Sequence, residues 1–120
     1  MPNKRTTIKI PTLHCQLVIV VTDDVNAEVN RVYKKYKSPM RLDDPVEGVF
    51  FSIDIDRYYL VIERKYLTYN TIAHEVFHAT IRITKDRGIK EEESQAWLCG
   101  YLNAVIHKFL HKKNFVIKHG

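Results

Sequence analysis

The stretch VFFSIDIDRYYLVIE, residues 49–63, carries the clearest structural pattern in the sequence. Two runs rich in aromatic and β-branched side chains, residues 49–53 and 58–63, flank a short polar segment with two aspartates and an arginine. Aromatic and β-branched residues favour strands, and a short polar connection between two such runs favours a hairpin. The sequence therefore predicts a β-hairpin here.

Upstream of this hairpin, the pattern predicts one more strand and one helix. Residues 16–22 form an apolar, β-branched run that ends at Asp23 and Asp24, whose carboxylates can cap a following helix. Apolar side chains then recur at spacings of three and four, which is typical of an amphipathic helix. They are Val25, Val29, Val32, Tyr33 and Tyr36. The polar and basic residues before the strand predict a short N-terminal arm.

Downstream of the hairpin, two helices are predicted. The first is expected to begin near Asn70 or Thr71, as capping residues, and to end near Arg87, because Gly88 suits the left-handed residue that closes a helix. The second starts within residues 91–93, whose carboxylates favour the positive end of the helix dipole, and continues to about residue 111. The basic tail after it is expected to fray.

These elements together predict an α+β fold with a small mixed sheet of about three strands packed with three helices. The chain has 120 residues, of which 45% are hydrophobic and 28% are charged. This length leaves room for a single core, so we expect one domain over residues 1–120.

Composition limits the cellular compartments and the binding partners to be expected for this chain. The apolar run at residues 17–21 is far shorter than a membrane span or a signal-peptide core, which predicts a cytoplasmic protein with no membrane partner. Cys15 and Cys99 are the only cysteines, and their wide spacing predicts packing residues rather than a disulfide scaffold or a thiolate metal cluster. The net charge of +5 allows an acidic partner, but no motif indicates nucleic-acid binding.

The run His74-Glu75-Val76-Phe77-His78 is an H-E-x-x-H motif inside the predicted active-site helix. Residues four apart on a helix point the same way, so His74 and His78 can bind one ion. Glu75 lies on the adjoining face and can reach a water on that ion as a general base. The motif therefore predicts one Zn²⁺ per chain, with Glu75 as the catalytic carboxylate of peptide hydrolysis.

A catalytic zinc takes three protein ligands and keeps one position open, so a third ligand is expected. The metzincin pattern is absent, because Ile81 and Thr84 occupy its glycine and histidine positions. A carboxylate at the start of the next helix is the alternative. Glu93 shares a helical stripe with Trp97 that is predicted to face the core, so Glu93 is the first choice and Glu92 the second.

The H-E-x-x-H run, followed by EESQAWLCGYL at residues 92–102, resembles the gluzincin arrangement of small phage and mobile-element metallopeptidases akin to the ImmA/IrrE family. In that family the third ligand is a Glu at the start of the following helix, with an aromatic residue four positions later and aliphatic residues eight and nine positions later. Trp97, Tyr101 and Leu102 stand at those positions if Glu93 is the ligand, with the aromatic Tyr101 where the family has an aliphatic residue.

The resemblance implies a minimal zincin-like domain and zinc metalloendopeptidase activity on a protein or peptide, such as a repressor-like protein. In zincin-like folds an exposed sheet edge can bind an extended peptide as an added strand. Residues 49–53 or 58–63 are the candidates for that edge in this sequence.

Other interpretations remain open at this point. One is a non-catalytic metallopeptidase-like module that contacts an acidic protein or nucleic acid through its basic surface. Peptide deformylases share H-E-x-x-H but need a cysteine ligand from an upstream motif, and Cys15 has no matching neighbours. The sequence does not select the substrate or the oligomeric state. It also does not select an oxyanion-stabilising residue among Tyr66, Tyr69, Tyr101 and His107.

Overall fold

The structure is a computed structural model that describes residues 3–120. Within that range the protein has the predicted α+β architecture, with a four-stranded mixed sheet and three α-helices. The described residues divide into two compact units, the first ending at residue 66 and the second covering residues 67–120. The expectation of a single domain stays a prediction. None of the helices formed by residues 3–120 combines the length and the apolar character needed to cross a membrane.

The first unit contains the sheet and one helix. In chain order it comprises β1 (Lys4–Ile10), β2 (Cys15–Thr22), α1 (Val25–Lys35), β3 (Gly48–Asp54), β4 (Arg57–Glu63) and a short 3-10 helix (Arg64–Tyr66). The strand order is β1-β2-β4-β3, with β2 and β4 parallel and the two outer pairs antiparallel. The hairpin predicted over residues 49–63 is confirmed as β3 and β4.

The N-terminal segment is a strand, so the prediction of a short arm was wrong. β1 pairs with β2 in continuous register from Lys4 opposite Val21 to Ile10 opposite Cys15. Its side chains alternate between half-buried and exposed, as expected of an edge strand with one covered face. The exposed face of β1 is entirely polar, and the other face begins with Lys4 and Thr6 before Ile8 and Ile10, so the sequence has only a weak strand pattern.

One hydrophobic cluster of the first unit lies between the sheet and α1. Valines of β2 and α1 pack there with aromatic side chains of β3 and β4; the buried members are Val18, Val20, Val25, Val29, Val32, Phe51, Tyr59 and Val61. Asp24 caps α1 as predicted, because its Oδ1 accepts a hydrogen bond from the Ala27 amide at 3.1 Å.

The sheet order decides which strand has an open edge. β4 lies between β2 and β3, so the suggestion that residues 58–63 accept an added strand was wrong. β3 is an outer strand of the described sheet, which leaves residues 49–53 as the candidate of the two for binding an extended peptide.

The second unit is built from α2 (Tyr69–Asp86) and α3 (Glu92–Lys112). Thr68 caps α2 by accepting a hydrogen bond from the Thr71 amide at 3.0 Å, so the cap lies earlier than the predicted Asn70 or Thr71. Gly88 closes the helix with φ +67, as predicted. Fully buried aliphatic rows of the two helices supply the core of this unit. They are Ile72, Val76, Ala79 and Ile83 of α2, and Leu98, Leu102, Ile106 and Leu110 of α3.

The tail after α3 is held by backbone hydrogen bonds, so the expectation that it frays was wrong. The Tyr69 amide donates to the Lys118 carbonyl at 3.0 Å, and the Lys118 amide donates to the Leu67 carbonyl at 3.1 Å. These two bonds form a parallel bridge between Thr68 and Lys118. The tail is therefore fixed beside the N-terminus of α2.

Candidate metal centre

The two histidines of the motif converge on the exposed side of α2. The Nε2 atoms of His74 and His78 lie 3.0 Å apart, and the ring centroids lie 4.6 Å apart. Tetrahedral zinc with bonds of about 2.0–2.1 Å to nitrogen places two such nitrogens about 3.3 Å apart. The pair therefore fits two adjacent positions around a zinc ion.

Glu75 is buried next to this pair, on the adjoining face that its position in the motif predicts. Its side chain is 7% exposed, and its Oε2 lies 3.9 Å from the Nε2 of His74. Burial raises the pKa of Glu75, and the charges of His74 and His78 oppose that rise without cancelling it. A carboxylate with a raised pKa is a stronger base, which suits the general-base role that the motif predicts for Glu75.

The remaining positions of the motif show why α2 is oriented this way. Val76 is fully buried in the core row of the helix, whereas Phe77 is 61% exposed. The buried Thr80 satisfies its hydroxyl by donating to the Val76 carbonyl at 2.8 Å. The core row thus fixes the rotation of α2 and turns both histidines outward.

No third ligand joins the pair in the part of the chain that the structure describes. Over residues 3–120 there is no group of three or more His, Cys, Asp or Glu side chains that could hold a metal ion. The donor set therefore fits a zinc ion at two positions and leaves the third unassigned. The choice of Glu93, or of Glu92, stays a prediction from the sequence.

The argument that pointed Glu93 toward the core was wrong. Glu93 is exposed, and Trp97 on the same stripe is 52% exposed and stacks on Tyr101 with ring centroids 5.3 Å apart. The core row of α3 passes through Leu98 and Leu102 instead. The aromatic residues of this stripe misled the prediction, because aromatic side chains usually mark a buried face.

The packing of α2 against α3 determines from which direction Glu93 could approach the two histidines. Tyr69 at the start of α2 stacks on His107 of α3, with ring centroids 5.7 Å apart, and Gln95 lines the same cavity as Ile81. The helices are therefore antiparallel, and the first turn of α3 lies beside the last turns of α2. His74 belongs to the first half of α2, whereas Glu93 lies beside its C-terminal end. Glu93 would therefore approach the histidine pair from the side of His78.

Sequence reasoning missed an apolar border of the pair. Phe77 is 61% exposed and Ile81 is 42% exposed, on the same outward side of α2 as His74 and His78. Large apolar side chains that a helix turns to solvent are informative, especially beside polar groups. The sequence does contain a sign of this exposure. Positions 77 and 81 do not belong to the helical row at 72, 76, 79 and 83 that forms the core face of α2.

Comparison with models of protein families, with curated proteins and with solved structures gave no match to this chain. The resemblance to the ImmA/IrrE arrangement therefore stays a prediction from the residues that carry it. The functional assignment depends on the geometry of His74, Glu75 and His78.

Proposed function

We propose that this chain is a cytoplasmic zinc-dependent metallopeptidase that hydrolyses peptide bonds in a protein or peptide substrate. The observation that supports it best is the 3.0 Å approach of the His74 and His78 Nε2 atoms on the exposed side of α2. Glu75 adds a buried carboxylate 3.9 Å from His74. Two histidines that shared a helix face by accident would not need such a group beside them.

Each residue of the motif has a distinct role in this proposal. His74 and His78 hold the ion through Nε2, and their solvent exposure leaves the substrate side accessible. Zinc, when bound, supplies Lewis acidity that polarises the peptide carbonyl and lowers the pKa of water. Glu75 takes the proton of the attacking water and delivers it to the leaving nitrogen. Its raised pKa suits both transfers.

The third ligand in this proposal is Glu93, with Glu92 as the alternative. Both carboxylates belong to the first turn of α3. Paired variants Glu93→Gln and Glu92→Gln separate them, because only the variant that removes a ligand weakens zinc binding. Competition with a chromogenic chelator measures that affinity. Equal affinity in both variants and the unmodified protein would remove both residues from the ligand set.

The main test measures zinc content and cleavage in matched variants. We expect about one zinc per chain in the purified protein, loss of zinc in His74→Ala, and retention of zinc without activity in Glu75→Gln. His111→Ala is the control, because His111 is exposed and follows His107 by four residues on α3. Mass spectrometry of metals gives the stoichiometry, and fluorescent peptides together with an unfolded protein report cleavage.

Two outcomes would contradict the proposal. Unchanged zinc content in His74→Ala would show that the pair is not the metal site. Stoichiometric zinc without cleavage of any peptide or unfolded protein would favour the non-catalytic module that binds an acidic protein or nucleic acid.

A further inference from the structure

In the first unit, the sheet face that packs against α1 changes from apolar to polar at its end row. The rows that α1 covers carry Val18 and Val20 on β2. The end row on the same face is polar instead, because Gln16 pairs with Lys9 on one side and with Arg57 on the other. Directly paired residues of neighbouring strands project from the same face, so these three side chains form one row.

A cavity of about 270 Å³ lies at this row. Its walls are completed by two turns, which contribute Thr12 and His14 from the β1–β2 connection and Asp56 from the β3–β4 connection. Three basic side chains, Lys9, His14 and Arg57, therefore face one carboxylate. The cavity is close to the lower end of the size range of small-molecule sites.

An aromatic ring from outside the cavity contacts one of its basic side chains. The Arg57 guanidinium lies 6.0 Å from the centre of the Tyr36 ring. Lys9 and Arg57 together outnumber Asp56, the one carboxylate among the lining residues, so the lining favours an anion.

The turn that carries His14 is held in an uncommon backbone conformation. Thr12 has φ +66 and His14 has φ +52, both in the left-handed region that residues with side chains avoid. A β-branched residue such as threonine is especially rare there. Backbone strain of this kind is concentrated at ligand sites, where the surrounding structure maintains it. The pairing of Ile10 with Cys15 anchors both ends of this turn.

We propose that this cavity binds the phosphate group of a small phosphorylated molecule. Arg57 supplies a planar fork of N–H donors and Lys9 a point charge, which together match phosphate oxygens. Gln16 and Thr12 add neutral donors from the floor and the turn. This site lies in the first unit and does not depend on the proposed peptidase activity.

The test follows the side-chain amide of Gln16 by NMR during titration with inorganic phosphate and, separately, adenosine monophosphate. We expect a saturable shift with both and tighter binding of the nucleotide. Lys9→Glu and Arg57→Gln should each weaken binding about tenfold or more, through loss of a charge-assisted hydrogen bond. Lys112→Glu is the control, because it changes the net charge like Lys9→Glu at an exposed position of α3.

Three outcomes would overturn the proposal. The first is no saturable shift of Gln16 with either probe at concentrations up to about 20 mM, well above the range of specific sites. The second is equal weakening by Lys112→Glu and Lys9→Glu, which would assign binding to net charge. The third is equal affinity for both probes, which would show that the cavity binds free phosphate and makes no contact with the rest of a phosphorylated molecule. Lys9 is exposed, so Lys9→Glu remains informative even if Arg57→Gln fails to fold.

Discussion

The two units each bury a helical glutamate, and the two glutamates have opposite surroundings. Glu28 of α1 is 4% exposed and Glu75 of α2 is 6% exposed. Glu28 accepts hydrogen bonds from Arg5 and Arg31, each at 2.7 Å, and from the side-chain amide Nδ2 of Asn3 at 3.3 Å. Glu75 instead faces the imidazole of His74 at 3.9 Å.

These surroundings shift the two carboxyl pKa values in opposite directions. Burial raises the pKa of Glu28, but the hydrogen bonds and charges of Arg31 and Arg5 outweigh it, so the net change is downward. Burial also raises the pKa of Glu75, and the imidazoles compensate only in part. A buried carboxylate fixed by guanidinium groups serves the fold, whereas Glu75, which faces the imidazoles of the proposed metal site, keeps the basicity that the proposed reaction needs.

The largest expected effect is on catalysis, in Glu75→Gln. Loss of a general base lowers the rate by about a hundredfold to ten-thousandfold, so we expect kcat/KM for peptide cleavage to fall in that range. The free energy of unfolding should not fall, because a neutral amide is less costly to bury than a carboxylate. Kinetic assays and urea unfolding on the same samples measure both. Cleavage at the unmodified rate would show that Glu75 belongs with Glu28 as a residue of the fold.

The complementary change, Glu28→Gln, should affect stability and leave zinc content unchanged. At neutral pH we expect a loss of about 2 kcal/mol in the free energy of unfolding, from weaker hydrogen bonds to two guanidinium groups. Because the pKa of Glu28 is lowered in the folded state, its contribution is complete above the unfolded pKa and is lost as pH falls through the folded pKa. Urea unfolding from neutral to acidic pH measures the difference, which should shrink on acidification. A difference that grows on acidification contradicts this sign.

Much of the fold could be predicted because its strongest patterns are local. The β3–β4 hairpin, α1 with its Asp24 cap and the Gly88 stop each depend on a few adjacent residues. β1 could not be predicted in the same way, since KRTTIKI becomes a strand only by pairing with β2. Its partner supplies the hydrogen bonds and the apolar contacts that its own sequence does not indicate.

The part of the candidate site that could be predicted from the sequence is the part that lies on one helix, α2. His74, Glu75 and His78 are related by helical geometry, so their convergence followed from the motif. Glu93 belongs to another helix, whose rotation depends on which row is buried. The exposed stacking of Trp97 on Tyr101 reverses the usual preference of aromatic residues for the core, and the sequence contains no signal for that reversal.

A smaller effect is expected when only one partner of Glu28 is removed. Arg31→Met keeps much of the side-chain stem and leaves Arg5 bound to the carboxylate. We expect the free energy of unfolding to fall by about 1 kcal/mol. The pKa of Glu28 should rise, as the pKa of Glu75 does. Urea unfolding and NMR titration of the Glu28 carboxyl carbon measure the two changes. An unchanged pKa would show that Arg5 alone sets the ionisation of Glu28.

The smallest effect is expected at a pair with the same contact distance but no burial. Arg41 lies 2.7 Å from Asp43, like Arg31 from Glu28, yet the two side chains are 70% and 73% exposed. Water solvates both charges and screens their attraction, so Arg41→Ala should leave the midpoint of urea unfolding unchanged within error. If Arg41→Ala instead destabilised the protein as much as Arg31→Met, burial would not be what separates the two pairs. The stability that Glu28 gains from its arginines would then depend on the contact distance and not on the burial of the carboxylate, because equal distances would have produced equal effects at Asp43 and Glu28.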